Sequence, residues 1–136
     1  MAPASGTGLA NRSGMGAKHF KELVAWQCAD ALRAEVIAVC RRTAGMDHRF
    51  ASQWTGASGS VCSNLAEGFG RYTHRDFARF VRQAKASLFE AENQTREARQ
   101  RGYITADEED HINQLIRRAT VPITRLLRYL QTTPDR

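Results

Sequence analysis

The stretch Ser63–Phe80 reads SNLAEGFGRYTHRDFARF, and its punctuation decides how the chain folds. It holds the end of one helical pattern, a turn marked by Gly68 and Gly70 with Arg71 in it, and a fresh helix start at Thr73. Thr73 with Asp76 three residues on is a capping-box-like start in which aspartate replaces the usual glutamate. Arginines then recur along the first turns of the new helix. Two helical patterns joined by so short a turn pack as neighbours.

Working downstream, the third helix carries Phe77, Phe80, Val81, Ala84, Leu88, Ala91 and Thr95 on one stripe close to a heptad, and Gly102 ends it. Thr105 with Glu108 is a capping box, and Asp107, Glu108, Glu109 and Asp110 load acid onto a helix N-terminus, where it is favourable. The fourth helix follows with Ile112, Leu115, Ile116, Ala119, Ile123, Leu126, Leu127 and Leu130. Pro122 lies inside it and predicts a bend near Ala119 without a break.

Upstream, Asp47 caps a second helix with Phe50, Trp54, Ala57, Val61 and Leu65 on its apolar face. Gly56 and Gly59 inside it each cost about 1 kcal/mol relative to alanine, so the small-residue run Gly56–Ser60 predicts close approach by another helix. The first helix reads from His19 to about Thr43 and stops at Arg41, Arg42 and Gly45. Trp26 and Trp54 fall on apolar stripes and are expected in the core. Four amphipathic segments with short connections predict an all-α, antiparallel up-down-up-down four-helix bundle. Residues 19–132 form it, with a disordered N-terminal tail over 1–18 and a short C-terminal tail over 133–136.

Composition narrows the function classes. No apolar run reaches the roughly 18 residues of a membrane span, and the first residues lack a secretory leader's apolar core, so a cytoplasmic protein without membrane contact is expected. Cys28, Cys40 and Cys62 form no CxxC pair, and His19, His48, His74 and His111 each stand alone, so neither a disulfide framework nor a metal site is predicted. Ser60 and Ser63 lack a nucleophile-elbow setting, Gly68 and Gly70 lack the preceding strand of a phosphate loop, and Glu67 has no second carboxylate to work with. No catalytic constellation and no cofactor site is expected.

The net charge is +6 with a pI of about 9.8, and all but Lys18, Lys21 and Lys85 of the 20 basic residues are arginine. Arginine suits planar, two-pronged contacts to phosphate and carboxylate. Arg75, Arg79 and Arg82 are spaced to share a helix face opposite Phe77 and Phe80, with Arg71 and His74 beside it. Arg117, Arg118, Arg125 and Arg128 form a second group on the last helix. These eight arginines are the candidate nucleic-acid contacts, and the two groups merge if the helix ends meet. Glu67 and Arg71, four apart, are placed to pair.

The residues that carry a family resemblance run along most of the chain. Phe20–Gln27 resembles the opening F-x-x-L-x-V-W-Q of the four-helix-bundle proteins of the 23S ribosomal-RNA intervening-sequence family, and Ser63–Arg71 resembles that family's SNIAEGxGR signature. Phe77–Phe80 with Ala86–Glu90 is similar to its EFxRFLxIAxGSLxE segment, and Gly102–Ile104 to its LGYI turn. The resemblance implies structural roles for Ser63, Asn64, Glu67, Gly68 and Gly70. It also implies a ring-like homopentamer encoded in intervening sequences of bacterial large-subunit rRNA genes and elsewhere. A related bundle, the accessory protein of diversity-generating retroelements, is a basic pentamer that binds nucleic acid and a reverse transcriptase; such a partner is implied where one is encoded beside the gene. Two departures stand out: Thr55 and Gly56 replace a common basic pair, and Cys62 replaces a common proline.

The leading expectation is a non-enzymatic oligomeric bundle that associates with RNA or DNA through arginines. The alternative is a structural or adaptor homo-oligomer with a protein partner, its arginines serving subunit contacts through Glu90, Glu92 and Glu97.

Overall fold

A computed structural model of the protein describes residues 16–135; the expected tail over 1–18 lies outside them except for residues 16–18. The described chain forms four long helices, α1 (Val24–Arg42), α2 (His48–Phe69), α3 (His74–Gln100) and α4 (Ala106–Thr132). There is no strand among the described residues.

The starts of α2, α3 and α4 carry the caps their sequences promise. Asp47 accepts from Phe50 N–H at 2.9 Å, and Thr73 Oγ1 accepts from Asp76 N–H at 3.1 Å. The box at Thr105 closes both ways, with Thr105 N–H donating to Glu108 at 2.8 Å and Glu108 N–H to Thr105 Oγ1 at 3.1 Å. At α3 only the Thr73 half of the box forms, and the Asp76 carboxylate is engaged by Arg79 and Arg71. The helix α3 ends as Gly102 takes φ +79°, a conformation glycine adopts without strain, while Tyr103 N–H reaches back to the Ala98 carbonyl at 2.9 Å.

The first helix departs from its periodicity. Phe20–Glu22 form a separate 3-10 turn and Leu23 is extended, so α1 begins only at Val24. Local hydrogen bonds account for the break. His19 accepts from Lys21 N–H at 3.2 Å, and the Gln27 side chain donates to the Lys21 carbonyl at 2.8 Å. In α4 the helix runs on through buried Pro122 without a break.

Each helix packs on two others: α1 on α2 and α4, and α3 on α2 and α4, with α2–α3 the most extensive pair. Contacts near the helix ends say which ends meet. Arg42, closing α1, lies 3.1 Å from Glu108 at the start of α4. Asp47 N–H, ahead of α2, donates to the Tyr103 hydroxyl beyond α3 at 3.1 Å. His74 N–H, opening α3, donates to Asp135 beyond α4 at 2.6 Å. Between them lies one core that includes Leu23, Leu32, Val36, Trp54, Val61, Leu65, Val81, Ile112, Ile123 and Leu126, all with no exposed surface. Trp26 is only partly buried and packs edge-on against Phe20 at 5.3 Å.

Close approach occurs at a different glycine from the two expected. A Cβ built on Gly68 would stand 2.8 Å from both Phe77 Cδ1 and Phe80 Cβ, whereas one on Gly56 would meet nothing within 4 Å and one on Gly59 only Arg33 Cδ at 3.7 Å. Gly56 is in fact exposed. Gly70, though part of the signature, has φ −81° and room for a side chain, its nearest neighbour being the Glu67 carbonyl at 3.5 Å.

Two outcomes follow. Gly68→Ala overpacks the α2–α3 contact and lowers the unfolding free energy by about 1–3 kcal/mol, while Gly56→Ala raises it by about 0.4–1 kcal/mol, both read from denaturant titrations. The Glu108 carboxyl is held below its ordinary range, first by its bond from Thr105 N–H and then by Arg42. Its contribution to stability is therefore complete above the ordinary carboxylate pKa and is lost as pH falls through the lowered value. Glu108→Gln flattens the stability profile in that acidic window.

Candidate nucleic-acid interface

The turn between α2 and α3 is a knot of charge and one aromatic ring. Arg71 Nη2 lies 2.9 Å from Glu67 Oε2, and its Nε lies 3.7 Å from Asp76. Arg79 donates twice to Asp76 Oδ1, at 3.1 and 2.9 Å. Both guanidiniums lie over the Phe80 ring, their central carbons 4.6 Å (Arg71) and 4.4 Å (Arg79) from its centre. Of the three arginines expected on a face opposite Phe80, Arg79 thus lies over its ring instead. Phe80 is largely buried, and its ring is what two of the arginines rest on.

The signature residues Asn64 and Ser63 sit one turn earlier on α2. The Asn64 amide donates to the Ser60 carbonyl at 2.9 Å and hydroxyl at 3.1 Å, and Ser60 in turn meets the Ser87 hydroxyl at 2.9 Å across the α2–α3 contact. Ser63 is exposed and bonds back weakly to its own helix. Sequence reasoning missed Ser60 and Ser87 as partners, since a hydroxyl pair between helices leaves no periodic trace.

Arg75 and Arg82 differ from their neighbours. Neither has a carboxylate within 4.0 Å among the described residues. Both line a cleft of about 340 Å³ with His74, Ala78, Leu130, Gln131 and the segment after α4. His74, in the same cleft, is engaged by the segment after α4. Its Nδ1 lies 2.8 Å from the Thr133 carbonyl and its ring 5.5 Å from that of Tyr129.

On α4, Arg117, Arg118, Arg125 and Arg128 are exposed and likewise have no carboxylate within 4.0 Å among the described residues. Arg117 and Arg118 edge a shallow depression with Gln114 and Val121. Arg118 also borders α1 at Gln27, Cys28 and Ala31. The end of α4 meets Arg75 and Arg82 through Leu130 and Gln131, while Arg125 and Arg128 are not among the residues lining that cleft. Of the acids expected to meet arginines from another subunit, Glu97 is taken by Arg101, just past the end of α3, at 2.6 Å.

No thiol is poised as a nucleophile. Burial pushes Cys62 up to about 11, against a smaller lowering by Arg33, and burial also raises Cys28 and Cys40.

With the corner and its arginines placed, comparison adds one finding. The family model described as 23S rRNA-intervening sequence protein matches residues 21–125. The chain belongs to the 23S rRNA-intervening sequence protein family. No curated protein matches it. The stretch shared with the 23S rRNA-intervening sequence proteins contains the whole Gly68 corner, Arg71 through Arg82, and Arg117, Arg118 and Arg125. Arg128 and the Thr133 and Asp135 contacts to His74 lie beyond it.

In the native protein Cys62 is the slowest of the three thiols to react with iodoacetamide at mildly alkaline pH, and it labels at the rate of the others once the chain is unfolded. Mass spectrometry of the labelled peptides reads this directly.

Proposed function

We propose that this protein is a non-enzymatic, basic four-helix bundle that associates with RNA or DNA by arginine contacts to the backbone. The observation that carries the reading is the set Arg75, Arg82, Arg117, Arg118, Arg125 and Arg128, exposed cations with no carboxylate within 4.0 Å among the described residues; Asp135, which shares the cleft of Arg75 and Arg82, is engaged by His74 N–H. Phosphate is the common biological anion whose geometry a guanidinium fork matches. The family's description as a 23S rRNA-intervening sequence protein supports an RNA link. Arg71 and Arg79 hold the turn and contribute less, since Glu67 and Asp76 already engage them.

The antiparallel up-down-up-down course is part of the reading, supported by the three contacts near helix ends described above. So is self-association as a ring-like homopentamer in the cytoplasm, with a reverse transcriptase as partner where one is encoded beside the gene. Self-association draws support from α2, which has no charged residue from Phe50 to Ala66 although Ser52, Gln53, Gly56 and Ser63 on it are exposed. An uncharged face loses little on leaving water, and interface cores are depleted of charge.

Binding to a labelled oligonucleotide weakens steeply with salt. Replacing Arg75, Arg82, Arg117 or Arg128 by glutamine each lowers the slope of log affinity against log salt by about 0.7–0.9, whereas Arg79→Gln leaves the slope nearly unchanged. Absence of binding to both RNA and DNA at low salt would sink the proposal.

A further inference from the structure

We infer that the outer face of α3 is a strip for single-stranded nucleic acid, in which Tyr72 and Phe89 stack on unpaired bases and Arg75 and Arg82 between them hold the phosphates. The inference rests on the nucleic-acid reading above and narrows its ligand.

Among the described residues two large aromatic side chains stand out in water. Tyr72 is 101% exposed and Phe89 60%, while the other phenylalanines are buried or partly so. They bracket the arginine strip. Tyr72 lies in the bend three residues before Arg75, and Arg75, Arg82 and Phe89 follow one another at intervals of seven along α3. Seven residues advance a helix by about 10.5 Å and turn it only about 20° from a straight line. The three side chains therefore stand in one row, cation, cation, ring. Ala86, exposed and small, leaves the approach from Arg82 to Phe89 open.

The charge of this row favours a polyanion. Asp76, the acid among these first turns, is spent on Arg79 and Arg71, Asp135 in the cleft of Arg75 and Arg82 accepts from His74 N–H, Glu90 is rotated from Phe89 by about 100°, and exposed Glu92, about 60° from Phe89, comes only after the end of the row. Aromatic rings interleaved with free arginines suit a single strand, because every unpaired base offers a face to stack on while a duplex keeps its faces inside. Phe80 makes the same contact internally, with guanidiniums from Arg71 and Arg79 already over its ring. Phe89 and Tyr72 have no such cover among the described residues.

The test uses the full chain, fluorescence anisotropy, and three labelled probes of equal length: oligouridine, oligothymidine and a mixed-sequence duplex. The Tyr72→Ala, Phe89→Ala double variant binds both single strands at least about fivefold more weakly, and up to about a hundredfold, while duplex binding changes by less than about twofold. Phe89→Trp keeps single-strand binding, and Phe89→Leu loses it as alanine does. Equal losses on single strand and duplex, retention by Phe89→Leu, or a change in particle mass by light scattering in the double variant overturns the inference. Salt-steep, arginine-dependent binding that ignores both aromatics overturns it and leaves nucleic-acid association standing; no binding to any probe overturns both.

Discussion

The missing Cβ of Gly68 is the constraint on which the corner depends. It lets the last turn of α2 lie directly against Phe77 and Phe80 at the start of α3, where any other residue would place a Cβ 2.8 Å from two side-chain atoms. Phe80 is thereby fixed beneath the turn, and its ring becomes the floor on which Arg71 and Arg79 lie. Once they lie there, Glu67 and Asp76 can reach them from either side of the turn. The order of dependence runs from an absent side chain to a packed ring to a placed pair of charges.

That order also sorts the arginines. A helix face of evenly spaced cations looks uniform in sequence, but two carboxylates are enough to divide it. Arg71 and Arg79 become part of the turn's own structure, and exposed ion pairs of this kind add only about 0.2–1 kcal/mol each, so their value is geometric more than energetic. Arg75 and Arg82 are left facing a cleft whose other wall belongs to the end of α4. Which arginines remain free is thus decided by where two acids sit, one on α2 and one on α3.

Helix number, helix extents and the caps at Asp47, Thr73 and Thr105 were legible in the sequence, because apolar period and capping residues are local and repeat. The break at Leu23 was not, since it depends on Gln27 reaching back to a carbonyl and on a histidine cap that periodicity ignores. The role of the glycines was half legible. A glycine in a signature announces a constraint but not its kind: Gly68 answers to a close approach, Gly102 to a positive φ, and Gly70 to neither. The arginine candidates were all identified from spacing, whereas their division into engaged and free depends on side-chain reach across the turn. Tyr72 and Phe89 escaped notice because exposure of an aromatic is a tertiary fact, invisible until the core has chosen its members.

The link between His74 and the segment after α4 has a practical side. Asp135 accepts from the first N–H of α3, at the positive end of that helix, and the chain passes out of the bundle there beside Arg75 and Arg82. Whatever is joined at that point, whether an affinity tag, a fluorescent fusion or a further stretch of chain, emerges at the mouth of the basic cleft. An acidic addition would neutralise it from within, and a polyhistidine one would lend it charge that comes and goes near neutral pH. A label attached instead on a side chain near Arg42 and Glu108, at the other end of α4, stands away from that cleft.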